Sequence, residues 1–313
     1  MSHILHFPKI IVLLLCLIPA FMYMLPQSAI ADDSTIPAEV PSEENGLINM
    51  LLVGQDRRDT DCTARADCMI LCSFHPESGS ITFTSFLRDL YVEIPGHEGN
   101  RLNAAYALGG TSLLKDTLEQ NFSIRIDGCI EVDFSQFSQI IDALGGISIE
   151  LRQDEADKIN EIVPGSLTAG YTLLNGRQAL AYSRIRHLDA DGDFSRTRRQ
   201  RKLLTSLLDS YRDAGLLKIL SAVTDLLPMV STDLSKKQIL FLCVKLFPLI
   251  DNPTVSSQRI PADGTYSFCT IRNMDVLLAD MEAAKKQLSN IPKKEDIPAP
   301  SVIFTEPAMI EKG

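Results

Sequence analysis

Six arginines fall between Tyr182 and Arg201: Arg184, Arg186, Arg196, Arg198, Arg199 and Arg201. They sit in a chain whose formal net charge is -10. The guanidinium is a planar fork of donors that suits charge-assisted, two-point hydrogen bonding to phosphate. A dense arginine cluster in an acidic protein therefore points to a local anionic ligand and not to a general polyanion. Two upstream pieces match it: Gly54-Gln55-Asp56-Arg57 with Arg65-Ala66-Asp67, and Phe86-Leu87-Arg88-Asp89. Carboxylates and arginines converging in this way describe a metal-assisted phosphoryl site. A solvated helix face would also be rich in charge, but this run is broken by Gly192, Phe194 and the aspartates Asp189, Asp191 and Asp193.

Each candidate has a place that its chemistry needs. Asp56 comes two residues after Gly54, just past a buried apolar strand, Ile48 to Val53. In open α/β sheets ligands gather at the carboxyl ends of strands. Asp67 opens the second strand, Cys68 to Phe74. Two carboxylates at neighbouring strand ends, beside a phosphate ligand, suit Mg²⁺, which takes one or two carboxylates and completes its shell with substrate oxygens and water. Taken singly, either Asp is also an ordinary turn residue. Arg88-Asp89 ends the third strand, Ser80 to Phe86, and falls near the same rim; as a plain surface ion pair it would contribute little. Arg184 and Arg186 share a face only if their segment is extended, so the short helix from Gly176, capped by Asn175, should end near Tyr182. Arg196 and Gln200 are four apart on the next helix, Ser195 to Asp213, and lie on one face. That helix turns its N-terminus, with Asp193 or Ser195 as cap, toward the same region, where free N–H groups favour anions. His75, His97 and His187 are scattered, no Ser-His-Asp arrangement is visible, and no Walker-type glycine loop appears.

These pieces require a framework. A turn at His75 to Gly79 makes a hairpin of the second and third strands. A helix spans Thr111 to Asn121, and a short strand Cys129 to Val132. Asp133 or Ser135 caps a helix through Leu144, which Gly145-Gly146 ends. Ile147 to Leu151 is another strand. The long helix from Ser195 turns Leu203, Leu204, Leu207 and Leu208 inward. Helices follow at Leu216 to Leu227 and Ser235 to Leu249, then a strand at Val255 to Ile260 and a last helix at Asn273 to Leu288. This mixed order predicts one three-layer α/β domain with a mixed sheet over residues 47–290.

At 313 residues, 45% hydrophobic and 22% charged, the chain can bury a sizeable core. Its acidity argues against nucleic acid, which binds mainly through a basic surface. Residues 1–31 read as a signal peptide or signal-anchor. Lys9 precedes an apolar stretch, Ile10 to Leu25, short of the roughly 20 residues a span needs, and Ala29-Ile30-Ala31 fits a cleavage site. Cleaved signal and uncleaved anchor both stay open; either implies export. Residues 32–46 are a linker rich in Pro, Ser and acid, and residues 291–313 a loose tail. Export permits disulfides among Cys62, Cys68, Cys72, Cys129, Cys243 and Cys269, without choosing a pairing. A zinc site is disfavoured: no Cys-x-x-Cys pair and no clustered His is present.

In combination, these residues resemble the LytR-CpsA-Psr family of bacterial cell-wall enzymes. The resemblance runs from about Asn49 to Tyr211. It rests on the Asn49 to Arg57 stretch, Arg65-Ala66-Asp67, Phe86-Leu87-Arg88-Asp89, Leu102 to Gly110, Asp142-Ala143-Leu144-Gly145-Gly146, Leu174 to Tyr182 and the arginine segment. It implies an exported, usually membrane-anchored phosphotransferase that moves a glycopolymer from a polyprenyl-pyrophosphate carrier to peptidoglycan, leaving a phosphodiester. It implies Asp56 and Asp67 as Mg²⁺ ligands. It implies Arg88, Arg184, Arg186 and Arg196 as pyrophosphate ligands, with Asp193 and Gln200 in the same network. It further implies an α-β-α domain with an apolar tunnel for the polyprenyl chain, and a catalytic domain at the outer face of the cytoplasmic membrane or cell wall. Gln55, and Phe86-Leu87 before Arg88-Asp89, depart from the usual pattern without touching a charged group. A sugar hydroxyl would attack, and Asp89 or Asp193 would take its proton. The polymer, whether teichoic acid, capsule or another glycan, stays open. The same site would also serve a pyrophosphatase acting on that lipid, or a non-catalytic binder or envelope regulator.

Overall fold

The computed structural model describes residues 47–56, 65–186, 188–189, 192–210, 229–235, 238, 242 and 254–290. The signal or anchor, the linker and the tail lie outside these residues, as do Arg57, Cys62, His187, Cys243, the helix expected at Leu216 to Leu227 and most of that at Ser235 to Leu249. No helix among the described residues is long and apolar enough to cross a membrane.

In chain order the elements are β1 (Ile48–Asp56), β2 (Arg65–His75), β3 (Ser80–Phe86), β4 (Tyr91–Val92), β5 (Asn100–Arg101), α1 (Leu102–Phe122), β6 (Gly128–Asp133), α2 (Phe134–Ala143), β7 (Ile147–Leu151), α3 (Gln153–Ile162), β8 (Gly170–Leu174), α4 (Gly176–Ser183), α5 (Asp193–Ser210), β9 (Ser231–Thr232), β10 (Thr254–Ile260), β11 (Tyr266–Ile271), β12 (Met274–Ala279) and α6 (Met281–Ser289). Six strands form the central sheet in the order β10-β3-β2-β1-β6-β9. β1, β2 and β3 are an antiparallel meander, while β6 joins β1 and β10 joins β3 in parallel. The sheet is thus mixed, with helices on both faces.

Alternation along the strands builds the two faces. Leu51, Val53, Met69 and Leu71 pack on one side with Leu102, Leu114, Leu118 and Phe122 of α1 and Leu288 of α6. Ile48, Met50, Ile70, Cys72 and Phe74 point to the other side, where Leu204 of α5 and Leu242 meet them. A further core joins α2, α3, α4, α5 and the antiparallel β7–β8 pair through Ile141, Ile147, Ile159, Tyr182 and Leu203.

Several sequence expectations need correcting. β1 runs on through Asp56, and the helix expected from Thr111 begins at Leu102, with a kink where Gly109 and Gly110 leave helical φ/ψ. Between β7 and α4 the chain forms α3 and β8, which the sequence reading passed over. The helix expected from Asn273 starts only at Met281, after an Asp280 cap that accepts from Ala283 N at 3.0 Å. Met274–Ala279 is instead a strand paired with β11, because Arg272 and Asn273 both adopt positive φ (50° and 62°) and make a two-residue hairpin turn. Of the two proposed caps of α2, Asp133 is the real one: it accepts from Gln136 N at 2.7 Å, and the Gln136 side chain returns to the Asp133 N–H. Cys68, Cys72, Cys129 and Cys269 are free thiols.

Gly146 shows where the backbone tolerates no side chain. Its φ is +91°, and a Cβ there would lie 2.8 Å from the Leu174 carbonyl oxygen. Gly146→Ala should lower stability by about 1–3 kcal/mol, read as a lower urea midpoint with unchanged m-value. An unchanged midpoint would refute this account of the α2–β7 turn.

Candidate functional site

The site begins with a fault in the sheet. Gly54 pairs with Cys68 and Gln55 with Ala66, so the β1–β2 register slips by one and Asp67 has no partner. Such a bulge re-aims a side chain and is common beside active sites. Its effect shows in the packing. Ala66 and Met69 both join the core beneath α1, which strict alternation forbids. Asp67 is thereby turned to the rim of the opposite face, where it borders a cavity with Gly54 and Cys68. Gly54 permits this, since a Cβ there would lie 2.9 Å from that of Cys68.

Three arginines meet Asp67. Arg88 Nη1 donates to Oδ1 at 3.0 Å, Arg186 Nη2 to Oδ2 at 3.4 Å, and Arg196 Nη2 to the backbone oxygen at 3.1 Å. Asp193 closes the ring: its Oδ2 accepts from Arg196 Nη2 at 2.9 Å and lies 3.1 Å from Arg88 Nε, and its Oδ1 is 3.9 Å from Arg186 Nε. Asp89 lies 3.4 Å from Arg88 Nε and 3.6 Å from Arg101 Nε. Burial alone would push the Asp67 carboxyl up, but Arg196, Arg88 and Arg186 together hold it below the usual carboxylate range. The Arg196 side chain is 2% exposed, and its Nε and Nη1 have no hydrogen-bond partner among the described residues. Burial draws its pKa down, Asp193 opposes this, and Arg88 and Arg186 add to the pull. An anion bound among these groups would relieve that strain on positive charge.

The expected Asp193 or Ser195 cap needs correction. α5 starts at Asp193 itself, whose side chain is spent on arginines, and Ser195 is buried inside the first turn. The face of α5 carrying Arg196 and Gln200 continues through Leu203, Leu204 and Leu207, all at helical spacing and all lining one cavity of about 160 Å³. Its other walls are apolar side chains of β1, β2, β6 and α2, among them Ile70, Ile130 and Phe137. Asp67, Arg184, Arg186, Arg196 and Gln200 border the same cavity. Arg184 is exposed beside it, its guanidinium 4.5 Å from the Phe134 ring centroid. The result is an apolar tunnel with a cationic mouth. The side chains of Asp56 and Leu208 lie outside the described residues; the Asp56 backbone pairs with Arg65, two residues from Asp67.

Not every arginine of the cluster belongs to the mouth. Arg199 faces away from the tunnel and is buried with Glu155, to which Nε donates at 2.8 Å. It also binds the Ile185 carbonyl and pairs with Asp189. It braces the Arg184–Arg186 segment from behind. Arg201 donates to Ser257 Oγ at 2.7 Å on β10, and burial draws its pKa down to about 10. The Arg199 pairing rests on Glu155 of α3, a helix outside the elements expected from sequence. Gln55, which departs from the family pattern, accepts from Tyr106 Oη at 3.0 Å and donates to Glu131 at 2.7 Å, tying the end of β1 to α1 and β6.

Comparison with known proteins gives a consistent picture. The model of the LytR_cpsA_psr family matches residues 22–291. Biofilm regulatory protein A of Streptococcus mutans is 34% identical over 56% of this chain and 48% of its own length. The polyisoprenyl-teichoic acid–peptidoglycan teichoic acid transferase TagU of Oceanobacillus iheyensis is 33% identical over 61% of this chain and 60% of its own. The chain thus spans about half to three fifths of the length of these curated relatives. Among solved structures, TagT of B. subtilis is similar in two forms. With LIIa-WTA bound it gives a TM-score of 0.65 at 26% identity, covering 82% of this chain and 94% of that one. With octaprenyl pyrophosphate bound it gives 0.58 at 25%, covering 82% and 93%.

The depressed Asp67 pKa has a pH consequence. An ionised Asp67 stabilises the fold fully above its unfolded value, near 3.8, and that contribution is lost as pH falls through the lower folded value. Asp67→Asn should therefore flatten the fall of stability with acid below about pH 4, measured as urea midpoints without divalent ions. Equal slopes in the two proteins would contradict the arginine ring.

Proposed function

The chain belongs to the LytR_cpsA_psr family, and on that premise we propose that it is an extracytoplasmic phosphotransferase that moves a glycopolymer from a polyprenyl-pyrophosphate carrier onto peptidoglycan. One observation carries the reading: a single cavity has apolar walls along its length and Asp67, Arg184, Arg186, Arg196 and Gln200 at its mouth. That distribution matches an amphiphile with a long apolar chain and a diphosphate head. The lipid-bound TagT structure supports it, since that relative holds an octaprenyl pyrophosphate, and the name of TagU supports the transfer chemistry.

In this reading the polyprenyl tail lies along Leu203, Leu204 and Leu207, and the diphosphate oxygens take the donors of Arg184, Arg186 and Arg196, including the unpartnered Nε and Nη1 of Arg196. Arg88 neutralises charge from the opposite side. An acceptor hydroxyl attacks the phosphorus that bears the glycan. A P–O bond forms to the acceptor, the P–O bond to polyprenyl phosphate breaks, and the hydroxyl proton passes to Asp89 or Asp193. The protein's main task is to place and neutralise charge, as is usual for phosphoryl transfer. The donor set fits Mg²⁺. Asp56 and Asp67 would offer hard oxygen ligands from paired strands, each Asp67 carboxylate oxygen has a second lone pair beyond the one an arginine uses, and so few protein ligands leave room for substrate oxygens. Bound there, the ion would polarise a phosphoryl oxygen and offset developing charge. Residues 1–31 would direct the chain to the membrane that holds the carrier.

Two measurements test this. Asp56→Ala and Asp67→Ala should each lower Mg²⁺-dependent transfer by at least about 100-fold, assayed with a lipid-linked donor and a peptidoglycan acceptor; full activity of either variant would sink the carboxylate pair. Arg184→Lys keeps the charge but loses the fork. It should weaken polyprenyl-pyrophosphate binding by about tenfold, and equal affinity would leave Arg184 without a ligand role.

A further inference from the structure

We infer that a second cleft, on the far side of Arg88 from the tunnel, binds the acceptor, and that its ligand is a strand of uncharged pyranose sugars carrying hydroxyl and amide groups. The inference rests on the transferase reading and names the acceptor side of that same site. The cleft has a volume of about 690 Å³ and is bordered by Asp89, Asp193, Phe194, Arg259, Tyr266 and Phe268, among others. Arg88 gives Nη1 to Asp67, which borders the tunnel, and turns Nε to Asp89 and Asp193, which border the cleft. Arg186 and Arg196, which border the tunnel, also reach Asp193. The arginine ring, with Arg88 at its cleft side, therefore separates the two spaces. Displacement at phosphorus runs in line, so attacking and leaving oxygens approach from opposite sides. With polyprenyl phosphate leaving toward the tunnel, the nucleophile must enter from the cleft, past the two carboxylates able to take its proton.

The walls specify the chemistry. Aromatic rings step outward from the active site: Phe194, next to Asp193, lies 5.3 Å from Tyr266, and Tyr266 lies 5.6 Å from Phe268 in an edge-on contact. Tyr266 and Phe268 are two apart on β11 and share a face. Phe268 is 73% exposed. The C–H faces of pyranose rings pack on aromatic rings through apolar contact and weak C–H interactions. Asp89, Asp193, Asp263 and Asp275 border the cleft against Arg198 and Arg259, so acid predominates there. Arg259 sits over the Phe194 ring at 4.3 Å and pairs with Asp263, and Asp275 accepts from Thr270 at 2.9 Å. Such a surface offers acceptors and donors to hydroxyl and amide groups, and its excess of carboxylates disfavours a second polyanion. The β11–β12 hairpin that supplies the rings lies C-terminal to every motif that carried the sequence resemblance.

The test uses the full chain in detergent and a soluble β-1,4-linked N-acetylglucosamine tetramer as probe, with binding followed by calorimetry. The wild-type chain should bind the tetramer, and Phe268→Ala should bind it about tenfold or more weakly, while the affinity of both for polyprenyl pyrophosphate stays equal. In transfer assays Phe268→Ala should raise the acceptor KM and leave the donor KM unchanged. Arg184→Lys should show the reverse, with tetramer binding intact. Absence of tetramer binding by the wild type, or equal binding by Phe268→Ala, would overturn the inference. So would competitive displacement of the tetramer by a glycan-bearing lipid donor, because the cleft would then hold the donor's sugars. Tetramer binding lost in Phe268→Ala without any transfer activity would sink the transferase reading and leave the cleft as a glycan site.

Discussion

Like charges in a half-dry pocket are the constraint around which this molecule is organised. Arg88 and Arg186 reach the Asp67 carboxylate, Arg196 donates to the Asp67 backbone oxygen, and Asp193 is the second counterion. Three guanidinium groups so close would repel strongly where water is scarce. The two carboxylates make the arrangement tolerable, and they orient the forks while doing so. Among the described residues the compensation is incomplete, since Arg196 keeps two donors without partners in a nearly inaccessible position. A buried donor left unsatisfied costs about 1–3 kcal/mol. A bound anion would remove that cost, and the proposed diphosphate head is such an anion.

Everything that positions Asp67 serves this ring. The bulge turns the side chain out of the α1 core, Gly54 makes room for it, and Gln55 locks the adjoining strand end to Tyr106 and Glu131. Behind the other side of the ring, Arg199, Glu155 and Asp189 hold the Arg184–Arg186 segment through a buried ion pair. Breaking such a pair leaves an uncompensated buried charge, at roughly 3–5 kcal/mol. The arginine run therefore does two things on one helix: Arg196 and Gln200 border the proposed ligand cavity, while Arg199 ties to α3 and Arg201 to β10.

That division explains what could be read from the sequence. Strands of alternating or continuous apolar residues, such as β3 and β7, were legible because their period is imposed by burial alone. Caps at Asp133 and Asn175 were legible because their partners, Gln136 and Gln178, lie three residues away. The gathering of Asp67, Arg88, Arg186 and Arg196 could be proposed from residue type and strand ends. The bulge could not, because it depends on register across two strands. The role of Arg199 was hidden because its partner lies 44 residues away on a helix with few apolar side chains. The β11–β12 hairpin was missed for a similar reason: Met274 to Leu288 carries apolar residues in both periods, and only the left-handed pair Arg272-Asn273 and the Asp280 cap divide strand from helix.

The place of β10 bears on how the domain is built in time. It lies beside β3, and the contact between Thr82 and Ser256 joins residues 174 positions apart. During synthesis the meander of β1, β2 and β3 can form early, yet one flank of β3 keeps its backbone groups unpaired until nearly the whole domain has emerged. Open strand edges invite pairing with other chains, and pairings so distant in sequence form slowly. Ser80, Thr82 and Thr84 keep this waiting flank polar. The nascent chain therefore passes through a stage in which most of the ligand site is already encoded while the sheet that carries it still has a free seam, and that seam is where a chaperone, or an aggregating neighbour, would first make contact.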